Sequence, residues 1–367
     1  MPQLRFANVT KRFGKVLAID RISLEVNDGE YLCILGSTGS GKTTLLKLMA
    51  GLLTPDEGVI EFDDKRVNEV GIQERNAVYV PQHYALFPHL TVLQNVAFGP
   101  LARGKSASLA LEIAYNTLEL VRLSTRAQAF PKELSGGMQQ RVALARGLAS
   151  GAKLLLLDEP LSAIDARLRI DLRHKIREIV KQTGLTAIHV THDQEEAMSV
   201  GDEIMILKDG RIQDFGPPRR VYRRPADIFV THLFGGASFF EGIVEQAVGE
   251  TALINVRGLT IQAPSRMLTL TSSVILALRK ERVRISTEPP PGMDNVLKGE
   301  IRSIRFLGNS REYLIRLSNG DTITSRHFAE NETKFKEGQE VAISFRESDV
   351  LVFEYPAQGL LKELEIT

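Results

Sequence analysis

The sequence predicts an α/β nucleotide-binding domain that is followed by an all-β domain of small-barrel type. Residues 36–43, GSTGSGKT, match the phosphate-loop pattern G-x-x-x-x-G-K-[ST] at every fixed position. Apolar runs of strand type alternate with helical segments up to about residue 235. Beyond that point only short alternating segments separated by turns occur. We therefore assign residues 1–235 to a nucleotide-binding domain and residues 236–367 to a β domain.

Composition limits the classes of protein that this chain can belong to. Its 367 residues suggest two domains with sizeable cores, and a formal net charge of +1 gives no overall field that would recruit nucleic acid. No apolar run reaches the roughly 18 residues that cross a bilayer, and no signal-peptide pattern follows Met1. We expect a cytoplasmic protein without a nucleic-acid partner. The single cysteine, Cys33, is expected to be a packed core thiol.

The N-terminal segment is predicted to form strands joined by a turn. Residues 3–9 alternate polar and apolar side chains, which is typical of a half-buried strand, and a second strand is expected from Ile22 to Val26. The turn predicted at residues 10–15 carries Phe13. Two interpretations of this ring remain open, since it can cap the edge of the core or stack on a purine base.

The phosphate loop lies where its chemistry requires it. A short apolar strand at residues 31–35 precedes the loop, and a helical segment at residues 44–50 follows it. This arrangement directs backbone N–H groups and the positive end of a helix dipole at a phosphate. The glycines let the main chain approach the oxygens, Lys42 reaches the β- and γ-phosphates, and the Thr43 hydroxyl faces Mg²⁺. The sequence therefore predicts a nucleotide-binding protein.

A helical insertion is predicted inside the α/β domain. Short strands are expected at residues 58–62 and 77–80, and the second of them ends in Pro81-Gln82. The pattern then becomes helical from Phe87, which predicts a helical subdomain at about residues 87–150.

The last helix of this insertion begins with small residues. Ser135 is a candidate N-cap, and Gly136 and Gly137 leave bare N–H groups at the helix start. The sequence leaves two interpretations open, a second anion-binding site or an ordinary capped helix.

The most apolar predicted strand ends in two carboxylates. Residues 153–158, KLLLLD, are predicted to form a central parallel strand that is covered on both faces. Asp158 ends this strand, where open α/β sheets hold ligands, and a hard acid there suits Mg²⁺. The neighbouring Glu159 is a candidate base for the attacking water.

A further strand carries two histidines with different predicted roles. The apolar run at residues 186–190 is expected to be buried, and it is preceded by an amphipathic helix at residues 167–183. His192 follows the carboxyl end of the strand and is a candidate for a polar contact with a γ-phosphate. His189 lies inside the strand and is interpreted as structural.

The C-terminal third contains no second phosphate loop or acid cluster and is predicted to be regulatory or assembly-related. Arginines 219, 220, 223 and 224 precede it and form a basic cluster, which is either a solvated face or a contact for an acidic partner or lipid. The predicted strands of this domain are residues 239–244, 252–256, 274–278, 300–306, 312–317, 341–345 and 351–353.

In this order the motifs resemble those of the ATPase subunit of an ATP-binding cassette (ABC) transporter. The similarity covers nearly the whole chain, including a β domain that resembles the regulatory TOBE domain of import ATPases. It implies an α/β phosphate-loop ATPase with a RecA-like core, antiparallel β and helical subdomains, and a C-terminal OB/TOBE-like domain. The motifs are residues 36–43 (Walker A), Gln82 (Q-loop), 134–140 (signature), 154–159 (Walker B and its glutamate), 162–165 (D-loop) and His192 (H-loop).

The resemblance implies a role for each matching residue. Small departures are Met138 in the signature, Ile164 in the D-loop and Phe13 in place of tyrosine, and none removes a functional group. The implied catalytic residues are Glu159, His192 and Gln82, and the implied Mg²⁺ contacts are Thr43, Gln82 and Asp158. The implied ATP contacts are Phe13, Gly36, Ser37, Thr38, Gly39, Ser40, Gly41, Lys42, Thr43 and Thr44 in one copy, and Ser135, Gly136, Gly137 and Gln139, with Asp165 of the D-loop, across a dimer interface.

The resemblance also implies partners and a location. Two copies would close head to tail on ATP, and a membrane permease would dock on Gln82 and residues 83–98. The chain would then lie peripherally on the cytoplasmic face of the membrane, and a solute-binding protein would act through the permease. Residues 305–320 resemble the polyamine and iron(III) branch more than the maltose branch, and other small solutes such as sugars are the alternative.

A different class of function is a soluble ABC ATPase that works on ribosomes or DNA. Such proteins usually carry tandem cassettes or a long coiled coil, and this chain has one phosphate loop and no long heptad run. The β domain also favours an importer over an exporter. The solute itself cannot be read from this subunit.

Overall fold

The computed structural model describes residues 3–265, 268–329 and 335–364. The chain divides into two compact units, one ending at Arg223 and the other beginning at Arg224. A short helix at Ile228–Leu233 therefore belongs to the second unit. The predicted domain boundary after residue 235 remains a prediction.

The first unit combines a mixed sheet, an antiparallel sheet and a group of helices. Its strands are β1 (Leu4–Phe13), β2 (Val16–Val26), β3 (Tyr31–Gly36), β4 (Glu57–Phe62), β5 (Lys65–Arg66), β6 (Ala77–Val80), β7 (Leu154–Asp158), β8 (Thr186–Val190), β9 (Glu203–Lys208) and β10 (Arg211–Gly216). Its helices are α1 (Lys42–Ala50), α2 (Val92–Ala102), α3 (Ala107–Leu120), α4 (Gly136–Ala149), α5 (Ala166–Thr183), α6 (Gln194–Val200) and α7 (Pro218–Arg223), with short 3₁₀ turns at Ser124–Arg126 and Pro131–Glu133.

The mixed sheet has the strand order β10-β9-β3-β8-β7-β6. Strands β3, β7 and β8 are buried along their whole length and pair in parallel with their neighbours, which explains their continuous apolar sequences. Because parallel strands end at the same edge, the residues that follow β3, β7 and β8 meet there. This edge carries the candidate site.

The antiparallel sheet corrects the sequence-based prediction at the N-terminus. Its order is β2-β1-β4-β5, and β1 continues through Phe13 where a turn was predicted from residue 10. The polar residues Lys11 and Arg12 pair with β2, which begins at Val16 and not at Ile22. Irregular register between the strands breaks the alternation of side chains, so the sequence of this paired segment resembles that of a turn.

The helical part of the first unit begins and ends at capped helices. The Thr91 hydroxyl accepts a hydrogen bond from Gln94 N at 3.2 Å, and the Gln94 side chain accepts one from Thr91 N, which forms a capping box at α2. Ser135 caps α4 by accepting a bond from Met138 N at 3.4 Å.

The described part of the second unit contains two antiparallel sheets that share one apolar core. The strand orders are β13-β12-β11-β14-β20 and β15-β19-β16-β17-β18. Strands β13, β15 and β18 were not predicted, because polar residues interrupt their apolar alternation. The elements are α8 (Ile228–Leu233), β11 (Ala237–Val248), β12 (Thr251–Val256), β13 (Leu259–Pro264), β14 (Ser273–Arg279), β15 (Arg284–Ser286), β16 (Asn295–Phe306), β17 (Ser310–Leu317), β18 (Thr322–Phe328), β19 (Glu340–Phe345), β20 (Val350–Glu354) and α9 (Leu360–Leu364), with a 3₁₀ turn at Glu347–Asp349.

Across the described ranges, every helix is too short or too polar to cross a membrane.

Candidate functional site

The phosphate loop, which joins β3 to α1, has a backbone conformation that requires glycine at position 41. This residue has a φ of 103°, and a Cβ added to it would lie 2.5 Å from the carbonyl oxygen of Ala18. Both conditions exclude a larger residue. The loop N–H groups at the start of α1 are therefore fixed close to the neighbouring β2 strand, where they can bind an anion.

Lys42 is held inside the loop. Its side chain is buried, and Nζ donates hydrogen bonds to the carbonyl oxygens of Gly36 at 3.0 Å and Ser37 at 2.7 Å. Burial lowers the pKa of Lys42 below its ordinary value, and the carboxylates of Glu159 and Asp158 oppose that shift. A partly desolvated cation whose hydrogen bonds to the described residues go to neutral carbonyl oxygens is suited to bind an anionic group such as a phosphate.

The remaining loop residues differ in exposure. The hydroxyl Oγ of Ser40 is buried and has no hydrogen-bond partner among the described residues, so it is free to contact a ligand oxygen. Thr38 and Gly39 are exposed at the tip of the loop, and Thr44 is half-buried in α1.

Asp158 is fixed through both of its carboxylate oxygens. Oδ1 accepts a hydrogen bond from the Thr43 hydroxyl at 3.2 Å, and Oδ2 accepts one from the Tyr79 hydroxyl at 2.8 Å. Burial and the neighbouring carboxylate raise the pKa of Tyr79 well above its ordinary value, so this phenol remains a donor. Sequence analysis missed Tyr79, because nothing in β6 distinguishes it from a core aromatic residue.

Two of the predicted catalytic residues, Gln82 and His192, both contact the third, Glu159. Gln82 Nε2 donates to Glu159 Oε2 at 3.0 Å, and His192 Nε2 lies 2.5 Å from Glu159 Oε1. Glu159 has a φ of 50°, in the left-handed region, and its N–H donates to the Val190 carbonyl at 2.9 Å. This conformation is uncommon for a residue other than glycine. Its presence directly after a buried strand indicates that the surrounding structure fixes the direction of the Glu159 side chain.

Gln82 was also predicted to contact the metal. The structure places its amide on Glu159, whereas Asp158 contacts Thr43 and Tyr79. Its part in metal binding stays a prediction.

The signature residues form a separate helix start. Ser135 and Gly136 are exposed, and Gly137 is half-buried. Gln139 Nε2 donates to the carbonyls of Pro131 at 3.0 Å and Leu134 at 3.2 Å, so this amide nitrogen braces the loop of its own chain. The contact of Gln139 with ATP of a second copy remains a prediction.

Gln140, the next residue of α4, lies at the end of the predicted signature, but sequence analysis gave it no role of its own. It is 3% exposed and its side chain contacts the turn that follows β7. Its Nε2 donates to Glu159 O at 2.9 Å and Ser162 Oγ at 3.1 Å, and its Oε1 accepts from Ala163 N at 2.8 Å. No local pattern marks such a contact, because it joins residues that are distant in the sequence.

Asp165 caps the next helix. Its Oδ1 accepts a hydrogen bond from Leu168 N at 3.0 Å at the start of α5. The structure thus gives it a role within its own chain, and its predicted role across a dimer interface is untested.

The aromatic and histidine side chains near the site differ in exposure. Phe13 is 48% exposed at the end of β1, and Lys11 Nζ lies 5.6 Å from its ring centroid, so the ring is accessible for stacking on a base. His189 is buried within β8, and its Nδ1 lies 2.9 Å from the Tyr31 hydroxyl. This position agrees with the structural interpretation of His189.

Comparison with known protein families identifies both parts of the chain. The ABC transporter family matches residues 19–162, and the TOBE domain family matches residues 276–353. The chain is 37% identical over 348 residues to the spermidine/putrescine import ATP-binding protein PotA of Marinobacter nauticus, which covers 93% of this chain and 92% of that relative. It is 42% identical over 315 residues to the Fe(3+) ions import ATP-binding protein FbpC of Brucella abortus, with 86% and 88% covered.

A similar solved structure is a dimeric ATP-binding cassette, MJ0796, bound to ADP and Pi in a post-hydrolysis state. It is 32% identical and has a TM-score of 0.55, and the match covers 59% of this chain and 99% of that one.

Proposed function

The chain belongs to the ABC transporter family as an ATP-binding subunit with a C-terminal TOBE domain, and we propose that it is the ATP-hydrolysing motor of a binding-protein-dependent importer. The observation that carries this proposal is the position of Glu159. It follows Asp158 at the edge of the sheet where the phosphate loop lies, between Gln82 and His192.

Within one copy, the phosphate loop and the residues around it supply the groups for ATP hydrolysis. Lys42 and the loop N–H groups neutralise phosphate charge, and Phe13 stacks on the base. The Glu159 carboxylate orients or deprotonates the attacking water, and His192 holds the γ-phosphate. Because His192 and Gln82 both contact Glu159, they also keep its carboxylate in place.

The site suits Mg²⁺. Asp158 Oδ1 and the Thr43 hydroxyl lie 3.2 Å apart, and both are hard oxygen donors at the carboxyl end of the sheet. We assign the ion to these residues, with Gln82 beside them. When bound, Mg²⁺ neutralises charge on the phosphate oxygens.

We assign the exposed start of α4 to the ATP of a second copy. Ser135, Gly136 and Gly137 form a second anion-binding helix start on an exposed surface. A head-to-tail homodimer brings each such start onto the nucleotide of the other copy. The dimeric form of the solved relative supports this arrangement.

We place the permease contact on Gln82 and residues 83–98. The rings of Phe87 and Phe98 lie 4.6 Å apart, and Phe98 is 46% exposed, so an apolar surface is available beside the Q-loop. Arg146 of α4 lies over the Phe87 ring at 5.2 Å. The chain would then lie peripherally on the cytoplasmic face of the membrane, and the solute-binding protein would contact the permease.

We propose a polyamine or iron(III) as the transported solute. The relatives at 36–42% identity are named for spermidine/putrescine or Fe(3+) import. The solute would pass through the permease, so this chain acts on it only through ATP hydrolysis.

Replacement of Glu159 by glutamine tests the motor. Glu159→Gln keeps the hydrogen-bonding shape and removes the base, so we expect ATP turnover to fall at least about 100-fold while ATP binding is retained. Steady-state hydrolysis and binding of a fluorescent ATP analogue measure the two effects. Glu119→Gln, on α3, is the control and should leave both unchanged. Unaltered hydrolysis in Glu159→Gln would remove Glu159 from the mechanism.

Co-purification tests the transporter assignment. We expect the tagged chain to recover an integral-membrane permease from detergent-solubilised native membranes. Recovery of ribosomes or DNA-repair proteins instead would leave the ATPase assignment in place and overturn the import proposal.

A further inference from the structure

The side chain of Gln140 links the signature helix to the turn that carries Glu159. It is an uncharged amide that is 3% exposed, and it makes hydrogen bonds with Glu159 O, Ser162 Oγ and Ala163 N. A buried amide with these three hydrogen bonds connects the two segments directly. Neither ATP binding nor hydrolysis, as described above, uses this residue.

We propose that Gln140 is a positioning residue that makes the start of α4 and the Glu159 turn move as one body. In the dimer of the proposed function, on which this inference rests, the start of α4 meets the ATP of the other copy. Gln140 would then transmit that contact to Glu159 of its own copy. Each bound ATP would thereby align the catalytic glutamate of the opposite site.

Close packing beside Gln140 supports a rigid joint. Gly137 lies on the same helix, and a Cβ added to it would be 2.7 Å from the Ala163 carbonyl oxygen. The helix backbone therefore contacts the turn without an intervening side chain. Gln140 lies about one helical turn beyond the signature glycines, so a displacement of the helix start reaches it directly.

The turn itself transmits movement to Glu159. The Ser162 hydroxyl donates to Glu159 O at 3.1 Å, and Ser162 N donates to the same oxygen at 3.3 Å. Gln140 Nε2 therefore contacts both members of this closed turn. A shift of the amide moves the backbone oxygen of Glu159, whose left-handed φ of 50° leaves the residue little freedom to compensate.

Removal of the amide should separate hydrolysis from nucleotide binding. Gln140→Met has similar length and volume but cannot form these hydrogen bonds. We expect the turnover number to fall about 10-fold, since small misplacements of a catalytic group are costly, with KM and binding of a fluorescent ATP analogue within about twofold of wild type. We also expect the wild-type chain to hydrolyse ATP with a Hill coefficient above 1 and Gln140→Met to show a Hill coefficient of 1.

A second variant and a matched control separate coupling from stability. Ser162→Ala removes one partner of the amide at an exposed position and should lower turnover and the Hill coefficient in the same direction. Asn68→Leu removes another buried amide, which bonds to Ile60 N at 2.8 Å and Gly58 O at 3.0 Å in the antiparallel sheet. We expect both Asn68→Leu and Gln140→Met to lower the melting temperature, but Asn68→Leu to leave the Hill coefficient unchanged.

All variants are measured as full-length chains by steady-state hydrolysis over a range of ATP concentrations. A normal turnover number and Hill coefficient in Gln140→Met overturns the inference. If that variant does not fold, the same normal values in Ser162→Ala overturn it. A wild-type chain that hydrolyses ATP with a Hill coefficient of 1 contradicts the proposed coupled dimer instead, and a wild-type chain without hydrolysis contradicts the motor function.

Discussion

The starts of α1 and α4 are both suited to bind phosphate, but they differ in what surrounds them. At α1, the loop lies against β2, Lys42 is buried, and Asp158 and Glu159 lie close enough to oppose the shift of its pKa. At α4, Ser135 and Gly136 are exposed, and Ser135 caps its own helix. The start of α1 therefore has a lysine and two carboxylates of the same chain beside it. The start of α4 presents its backbone N–H groups to solvent.

This difference fits a chain with two proposed phosphate-binding helix starts and one proposed catalytic glutamate. In the proposed mechanism, the α1 site holds the nucleotide with groups from one copy. In the proposed dimer, the exposed α4 start completes the ATP site of the other copy. Gln140 connects the two, because it extends from α4 to the Glu159 turn.

The largest effect is expected from loss of the lysine at the α1 site. Lys42→Ala removes a charge that we assign to the phosphates, and we expect ATP affinity to fall about 100-fold, the equivalent of one or two charge-assisted hydrogen bonds. Equilibrium binding of a fluorescent ATP analogue measures this loss. Lys47→Ala, on the same helix, is the control. Retained affinity in Lys42→Ala would mean that the two helix starts differ less than the structure indicates.

A negative charge at the α4 start should affect turnover and spare binding. Gly136→Asp places a carboxylate where the phosphate of the other copy is expected, so we predict at least about 10-fold slower hydrolysis with unchanged ATP binding by the single chain. Gly136→Ala is the matched control, because an added Cβ would lie 3.5 Å from the Tyr84 hydroxyl and therefore fits. Equal hydrolysis by both variants would remove the α4 start from the site.

A smaller effect is expected from Tyr79. Tyr79→Phe frees Asp158 Oδ2 from its hydroxyl partner at 2.8 Å and leaves the carboxylate less well oriented. We expect the Mg²⁺ concentration for half-maximal hydrolysis to rise about fivefold, the equivalent of one hydrogen bond of about 1 kcal/mol. Titration with Mg²⁺ at saturating ATP measures it, with Tyr115→Phe on the exposed side of α3 as the control. An unchanged Mg²⁺ requirement would show that Thr43 alone suffices to orient Asp158.

Much of the α1 site could be predicted from the sequence because it is local. Residues 36–43 are contiguous. Asp158 ends one apolar strand and His192 follows another, and the carboxyl ends of these strands must meet in a parallel sheet. The ABC and TOBE assignments, made from the order of the motifs, are confirmed by the family matches.

Contacts between distant residues could not be predicted. Tyr79 and Gln140 reach the Walker B strand and the turn after it from other elements, and their side-chain directions depend on tertiary packing. The C-terminal part of β1 was predicted to be a turn for a related reason. Its pairing with β2 is irregular, so the sequence around Lys11 and Arg12 lacks the alternation that is typical of a strand. Sequence patterns thus predict which residues carry the chemistry, and the structure shows which residues hold them in place.

Cross-linking between two copies tests the central claim most directly. The chain's one cysteine, Cys33, is buried, so new surface thiols can be addressed selectively. One tagged Glu159→Gln chain would carry Thr38→Cys, at the exposed tip of the phosphate loop, and a second chain with a different tag would carry Gly136→Cys. The two chains would be mixed and treated with a short bifunctional maleimide. We predict a covalent dimer that carries both tags with ATP and much less of it with ADP. An equal yield with both nucleotides, or no mixed dimer at all, would contradict an ATP site completed by the α4 start of a second copy.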